Sequence, residues 1–206
     1  MSEPGPLVAP CQGRPVALVL KRDLVRTLKR GHPWVFADAL ASLPSAEVGA
    51  HAILSDRKGR AVARGFYDPS STLAFRACSL RPKAPLDDRW ARQTLDRAWA
   101  LRRALIDPER TTGFRLVYGE GDGAPGLVVD VYGDTAVVKL DGPGPEAFWD
   151  AQGVGRWVAE NLGLPVVYQR FRTRGGTKGQ ALVGEAPAEP VAFLENGLRF
   201  TADVVR

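Results

Sequence analysis

An α+β fold with two units is what this sequence predicts, on three observations. Residues 17–82 combine one short helix with several short strands, which is the content of a small mixed barrel. Residues 113–206 run in a different order, with strands, a helix and further strands. A stretch punctuated by proline, "RPKAPLDDRW", lies between these units. We therefore expect a flexible N-terminus, a first domain, a linker with a connecting helix, and a second domain at residues 1–16, 17–82, 83–112 and 113–206.

A basic helix opens the first unit. At about 100° per residue, the cations of residues 21–30 fall on one helix face and the leucine and valine side chains on the other. These cations are Arg22, Arg26, Lys29 and Arg30, here called the basic strip. Gly31 favours a helix end, and Pro33 prevents the helix from continuing. Such a strip suits the phosphates of a nucleic acid.

Strands are predicted for the rest of the first unit. In "PWVFADAL", Trp34 and Phe36 lie two positions apart and would share one strand face. We favour core packing for both rings, with base contact as the alternative. The later strands are "HAILSD", "AVARGFYD" and "TLAFRACSL", with reversals at Gly59 and Pro69.

A long helix and a mixed set of strands are predicted for the second half. Asp87 is placed to cap a helix over residues 88–106. The strands "FRLVYGE", "GLVVDVYG" and "TAVVKLD" follow, separated by glycine turns. A second helix is expected over residues 145–162, then the strand "VVYQRF" and a hairpin that turns at "NG" (196–197).

Charge is divided unevenly along the chain and favours a polyanionic partner. Residues 14–116 carry 20 Lys and Arg against 10 Asp and Glu, whereas residues 117–206 carry 8 against 12. The net charges are +10 and −4, an asymmetry that is typical of nucleic-acid binding. The loop "QRFRTRGGTKGQ" adds cations that suit phosphate contact, although a solvated loop explains it equally well.

Metal and membrane functions are disfavoured. Cys11 and Cys78 lack the spacing of a zinc or disulfide site, and His32 and His51 are the only histidines. We therefore expect no metal. No apolar run reaches about 18 residues, the length that a bilayer requires, and no signal peptide is recognisable, so we also expect a soluble, cytoplasmic protein. The loops "GEGDGAPG" and "DGPGPE" lack the pattern and charge of nucleotide-binding loops, so we expect neither to bind a cofactor.

Four blocks carry a resemblance to a known family. They are "KRGHPWVFADAL", "ARGFYDPSSTLAFRACSL", "TTGFRLVYGEGDGAPGLVVDVYGD" and "ENGLRFTADVV". Over most of residues 17–205, their order and spacing resemble the front part of the class I SAM-dependent large-subunit ribosomal RNA (cytosine-C5) methyltransferases. The resemblance implies a PUA domain, which is an RNA-binding β pseudobarrel, followed by a small mixed α/β domain. In the family a Rossmann methyltransferase domain follows, whereas this chain stops at Arg206.

The resemblance also implies where the chemistry lies. In the family, the later domain holds SAM and the catalytic residues, so we expect no Rossmann methyltransferase domain, no catalytic residue and no cofactor in this chain. SAM is expected for the full-length family, and this chain alone is expected to be inactive while binding ribosomal RNA. A stand-alone PUA-type RNA-binding or regulatory protein without catalysis remains the alternative. The oligomeric state stays open.

The RNA contacts are assigned to basic side chains of the first unit and of the strand and loop near residue 174. They are Arg22, Arg26, Lys29, Arg30, His32, Arg64, Arg76, Arg170, Arg172, Arg174 and Lys178. Two departures from the family pattern, Val131 and Cys78, leave the finer contacts with RNA open.

Overall fold

The protein is described by a computed structural model over residues 5–171 and 179–205. The strands are β1 (Val16–Val19), β2 (Trp34–Val35), β3 (Ala50–Ser55), β4 (Ala61–Tyr67), β5 (Phe75–Ser79), β6 (Gly113–Tyr118), β7 (Leu127–Tyr132), β8 (Thr135–Leu140), β9 (Val166–Arg170), β10 (Gly179–Val183), β11 (Val191–Glu195) and β12 (Leu198–Ala202). The helices are α1 (Val25–Lys29), α2 (Asp88–Leu105), α3 (Pro143–Phe148) and α4 (Ala151–Leu162), with 3₁₀ turns at Ala37–Ala39 and Gly119–Asp122.

The first sheet has five strands in the order β1-β3-β4-β5-β2. Strand β1 runs parallel to β3, and the other neighbours are antiparallel. Its core is built by alternate side chains such as Leu18, Leu54 and Phe75. At Gly65 the register between β4 and β5 shifts, and a side chain there would strike the carbonyl group of Arg76, so the strands approach this closely only with glycine.

The segment around α1 differs from the predicted helix over residues 21–30. Helix α1 has five residues, and Arg22 lies before it. The cause is local: Asp23 Oδ1 accepts a 3.0 Å hydrogen bond from the Val25 backbone N–H, so the side chain holds a turn where the helix would otherwise begin. The prediction that all four cations of the basic strip share one helix face therefore does not hold for Arg22, which lies outside the helix.

The rings of Trp34 and Phe36 do not pack in the core, contrary to the prediction. They do share a side of the chain, but Val35 between them is the buried residue and both rings are exposed. Strand β2 is a two-residue edge strand that pairs with β5 alone, through Trp34 with Arg76 and Val35 with Phe75. Val35 is the residue of this strand that belongs to the core of the first sheet.

The second sheet has the order β10-β9-β8-β7-β6 and contains one parallel pair, β8 with β9. Parallel neighbours need a long crossover, which α3 and α4 supply. Strands β8 and β9, with the helices α3 and α4 between them, therefore form an α/β unit. Its core contains Leu116, Phe148 and Trp157.

The helix predicted over residues 145–162 is two helices. Trp149 adopts an extended conformation, and Asp150 caps α4 by accepting a 2.6 Å hydrogen bond from the Gly153 N–H. The bend lets the Trp149 indole turn inwards, where its Nε1 donates to the Pro125 carbonyl group. The predicted "NG" hairpin is confirmed, because β11 and β12 are joined by Asn196 and Gly197, both with positive φ.

Residues 7–9, which belong to the stretch predicted to be flexible, pack against the second sheet's helices. The side chain of Leu7 is 1% exposed, and its backbone N–H donates to Asp88 Oδ1 at 2.7 Å. The Ala9 N–H donates to the Phe148 carbonyl group at 2.8 Å. The chain thus contributes to the core of the second sheet before it enters β1.

The two sheets meet along an apolar and an ionic contact. Phe66 of β4 stacks on Phe148 of α3 with ring centroids 4.5 Å apart. Beside this contact, Arg76 of β5 reaches Glu120 and Asp141, which precede β7 and α3. These contacts fix the position of the first sheet relative to the second.

Candidate nucleic-acid interface

An open groove of about 640 Å³ lies between the start of α1 and the β3–β4 turn. We call it the basic groove. It is lined by Leu20, Arg22, Asp23, Val25, Asp56, Arg57, Lys58 and Arg60. Four cations face two carboxylates there, so the groove carries a net positive charge.

The carboxylate of Asp56 organises the turn that supplies three of these cations. Its Oδ1 accepts hydrogen bonds from the backbone N–H groups of Lys58 and Arg60, and its Oδ2 pairs with the Arg60 guanidinium at 2.8 Å. The backbone N–H of Arg60, ahead of its side chain, lowers the pKa of Asp56. Asp56 therefore stays ionised and fixes the turn, while Arg57 and Lys58 remain exposed.

The basic strip borders this groove. Arg26 and Lys29 lie in the last turn of α1 and Arg30 caps it, all with exposed side chains. Arg22 is exposed too, although Asp38 holds its guanidinium at 3.2 Å. The structure thus joins the predicted strip to Arg57, Lys58 and Arg60, which the sequence reasoning treated only as a turn. Three cations within "RKGR" were the feature that could have indicated them.

Arg76 is placed where contact with RNA is not supported. Its side chain is 9% exposed, and Nη1 lies 2.7 Å from Glu120 Oε1 while Nη2 lies 3.1 Å from Asp141 Oδ2. A guanidinium buried between two carboxylates is neutralised and has no open side for phosphate. Its position instead holds the first sheet against the second.

The remaining predicted contacts are dispersed. His32 is exposed and follows the basic strip, whereas Arg64 on β4 is half-buried and its Nε has no hydrogen-bond partner among the described residues. Arg170 ends β9 of the second sheet and does not line the basic groove. Arg172, Arg174 and Lys178 lie outside the described residues.

The glycine-rich loops are occupied by structural ion pairs. In "GEGDGAPG", Glu120 pairs with Arg76, and Asp122 holds Arg102 through two 2.7 Å bonds. In "DGPGPE", Asp141 pairs with Arg76, and the following α3 is only six residues long. These carboxylates therefore brace the fold, and neither loop presents a free phosphate or nucleoside cradle.

Residues 5–171 and 179–205 lack both metal-binding clusters and membrane-spanning helices. They contain no group of three or more His, Cys, Asp or Glu side chains that could hold a metal ion. No helix in them is long and apolar enough to cross a membrane. Burial also raises the pKa of the Cys78 thiol well above its ordinary value, so this cysteine is a poor nucleophile.

The sequence of this chain is similar to that of known proteins. Residues 18–80 match the profile of the PUA-like domain family. The chain is 35% identical over 193 residues to a ribosomal RNA large subunit methyltransferase of Deinococcus radiodurans, covering 86% of this chain and 46% of the relative. It is 32% identical over 195 residues to ribosomal RNA large subunit methyltransferase I of Alteromonas mediterranea, covering 91% and 48%. The chain thus spans about half the length of these relatives.

Solved structures correct the predicted fold class. A putative SAM-dependent methyltransferase from Streptococcus mutans aligns with a TM-score of 0.73 at 16% identity, over 93% of this chain and 50% of that one. A putative methyltransferase crystallised with SAH aligns with the same TM-score over 90% and 47%. The prediction set this chain apart from the methyltransferase fold, and it is wrong, because the fold of such structures extends over nearly the whole chain. The chain contains a PUA-like domain at residues 18–80 and is homologous to ribosomal RNA large subunit methyltransferases over about half of their length.

Proposed function

We propose that this chain is the RNA-binding part of a ribosomal RNA (cytosine-C5) methyltransferase. The observation that carries the proposal is a set of exposed cations on the PUA-like domain, in which Arg22 of the basic strip lines the basic groove and Lys29 lines a neighbouring pocket with Arg60. The names of the relatives support ribosomal RNA of the large subunit as the substrate. An enzyme with that substrate works in the cytoplasm, which we propose as its compartment.

The surface suits the RNA backbone better than the base edges. Arg26 and Lys29 project from a short helix that is anchored to the domain by its buried Leu28. Their charges are therefore held at the surface before any RNA binds. Arg57 and Lys58 stand on a turn held by Asp56. Cations fixed in this way neutralise phosphates and release counterions, which gives affinity and register but little sequence discrimination.

SAM is proposed as the methyl donor of the enzyme, since one matched structure holds SAH and both are methyltransferases. Residues 5–171 and 179–205 do not fit this group well. The carboxylates of the two glycine-rich loops are paired with Arg76 and Arg102. Neither loop is followed by a long helix. We therefore assign no residue of the described chain to SAM.

The domain organisation is proposed from the same features. The PUA-like domain is assigned to residues 17–82 and the second domain to residues 113–206, with α2 in the connecting segment 83–112. The buried apolar side chains form two clusters, one for each sheet apart from Phe66 of β4, which packs in the second, and this division supports two units. Residues 7–9 would then belong to the second unit by packing, although they precede the first in sequence.

The experiment that tests RNA binding is a salt titration with charge-reversal variants. Arg26→Glu with Lys58→Glu changes one cation of the basic strip and one of the basic groove, both exposed. Affinity for fragments of large-subunit ribosomal RNA should fall, and the log–log salt slope should decrease by roughly 0.7 to 0.9 for each lost phosphate contact. The matched control is Arg89→Glu with Arg199→Glu, which alters net charge equally at exposed sites on α2 and β12. Equal losses in both variants would contradict a localised RNA surface.

A further inference from the structure

The indole ring of Trp34 is exposed and yet held in one orientation. Its side chain is 37% exposed, although the neighbouring Val35 is fully buried. Its Nε1 donates a 2.8 Å hydrogen bond to Glu120 Oε1, and the Arg76 guanidinium lies over the ring, 5.9 Å from its centroid. Glu120 is fixed in turn by Arg76 at 2.7 Å. A ring pinned at its polar edge and supported by a cation loses no rotamer freedom when it meets a ligand.

A second ring is displayed by the same 3₁₀ turn that holds Trp34. Tyr118 immediately precedes Gly119–Asp122, is 59% exposed, and lies against Gly121, where a side chain would strike the ring. Arg115 stands 5.3 Å from its ring centroid and is itself partly exposed. Glu120 on one side and Gly121 on the other thus place two exposed aromatic rings around one short turn.

Charge around these rings favours an anionic polymer. The acids of the turn are neutralised, because Glu120 pairs with Arg76 and Asp122 with Arg102. His32 packs edge to face with Trp34 at 5.7 Å between centroids, and it is only two residues from Arg30 at the end of the basic strip. A single RNA strand whose phosphates follow the basic strip therefore reaches Trp34 where the strip ends.

We propose that Trp34 and Tyr118 form a stacking site for unpaired nucleobases. The inference rests on the proposed RNA-binding function and adds the class of RNA: single-stranded, flanking the segment whose backbone lies on the basic strip. Bases in a duplex present only their edges, whereas unpaired bases can lay a face on an aromatic ring. Stacking tolerates any base, so the site selects unpaired structure more than sequence.

The first test compares two RNA probes with single variants. The probes are a single-stranded RNA of about twelve nucleotides without self-complementarity and the duplex it forms with its complement. Trp34→Ala and Tyr118→Ala should each weaken single-strand binding by about 5- to 150-fold, the range of one lost base stack, and leave duplex binding unchanged. Tyr118→Ala leaves the ion pairs of Glu120 with Arg76 and of Asp122 with Arg102 in place, so it remains informative if Trp34→Ala fails to fold.

Fluorescence supplies a readout that a purely structural role would not change. Of the five tryptophans, Trp149 and Trp157 are buried and Trp90 and Trp99 half-buried, so quenching by bound single strands should come chiefly from Trp34. Trp34→Phe should remove most of the quenching, whereas Trp99→Phe should keep it. Trp99 is a suitable control because it also carries an arginine over its ring, Arg103 at 5.5 Å.

The outcomes separate this inference from the RNA-binding proposal. If the wild type binds both probes and folded Trp34→Ala and Tyr118→Ala lose neither, the stacking site is refuted while RNA binding stands. A loss of equal size for single strand and duplex would also overturn it, since that result assigns the rings to the backbone surface. If the wild type binds fragments of large-subunit ribosomal RNA but neither probe, the stacking site is refuted while RNA binding stands, and if it binds none of these RNAs, both proposals are overturned.

Discussion

Arg76 Nη1 lies 2.7 Å from Glu120 Oε1, the same oxygen that accepts the Trp34 indole N–H at 2.8 Å. One carboxylate oxygen therefore joins β5 and β2 of the first sheet to the 3₁₀ turn of the second. The arrangement makes a buried ion pair and a surface aromatic ring depend on each other.

Replacement of this arginine should destabilise the protein strongly. Arg76→Met leaves Glu120 and Asp141 without their cation, and breaking a largely buried pair costs about 3 kcal/mol, toward the lower end because Asp141 keeps half of its exposure. Urea unfolding followed by circular dichroism measures the change. The matched control is Arg22→Met, which removes an exposed pair with Asp38 and should change stability little. Similar midpoints for the two variants would show that Arg76 is not a structural contact between the sheets.

The packed N-terminal segment should behave as core. Leu7→Ala should lower the free energy of unfolding by about 2–5 kcal/mol, because Leu7 is 1% exposed and the segment is hydrogen-bonded on both sides. Leu105→Ala is the control, since the same atoms are removed from a side chain that is 75% exposed. A Leu7→Ala variant as stable as Leu105→Ala would return residues 5–16 to the flexible segment predicted from sequence.

Stability should fall in mild acid through His51. Burial lowers the pKa of His51 below its ordinary value of 6.5, against a smaller opposing effect of its hydrogen bond to the Ala9 carbonyl group. The unfolded chain then binds a proton that the folded chain resists, so stability is complete above about pH 6.5 and declines as the pH falls from there toward the folded pKa. Thermal unfolding between about pH 7.5 and 5.5 measures this decline.

Two variants assign that pH dependence to one residue. His51→Gln keeps a donor for Ala9 but cannot titrate, so its melting temperature should depend less on pH. His32→Gln changes the exposed histidine and should retain the wild-type dependence. If the two variants exchange these behaviours, the buried histidine is not the group responsible.

The cap of α2 should contribute measurably to stability. Asp87 Oδ1 accepts a 2.9 Å hydrogen bond from the Trp90 N–H, so Asp87→Ala should cost about 1 kcal/mol. Asp87→Asn keeps a side-chain acceptor and should restore most of the loss. Equal destabilisation by both substitutions would indicate that the charge near the helix N-terminus matters more than the hydrogen bond.

Features set by neighbouring residues could be predicted from the sequence. The Asp87 cap and the Asn196–Gly197 turn are both present as predicted. Each depends on backbone preferences within a few positions, which the amino-acid types alone determine.

Features that depend on residues distant in sequence could not be predicted in this way. Trp34 faces outwards because Glu120, 86 residues away, accepts its N–H, and Arg76 is withdrawn from the surface by carboxylates 44 and 65 residues away. No local pattern distinguishes an arginine for phosphate from an arginine for a carboxylate. Arg57, Lys58 and Arg60 join the groove only because the β3–β4 turn folds beside α1. Likewise, the parallel pairing of β8 with β9 is a property of the sheet and not of either strand.

The early packing of Leu7 and Val8 has a consequence for biosynthesis. Their partners Trp149 and Asp150 leave the ribosome more than a hundred residues later, so at about 5–20 residues per second these side chains wait roughly 7–28 s for a place to pack. Residues 16–79, by contrast, hold the whole first sheet and can fold as soon as they emerge. During synthesis the first sheet is therefore complete while the apolar side chains of Leu7 and Val8 still lack their partners, and they can pack only after α3 and the start of α4 have emerged.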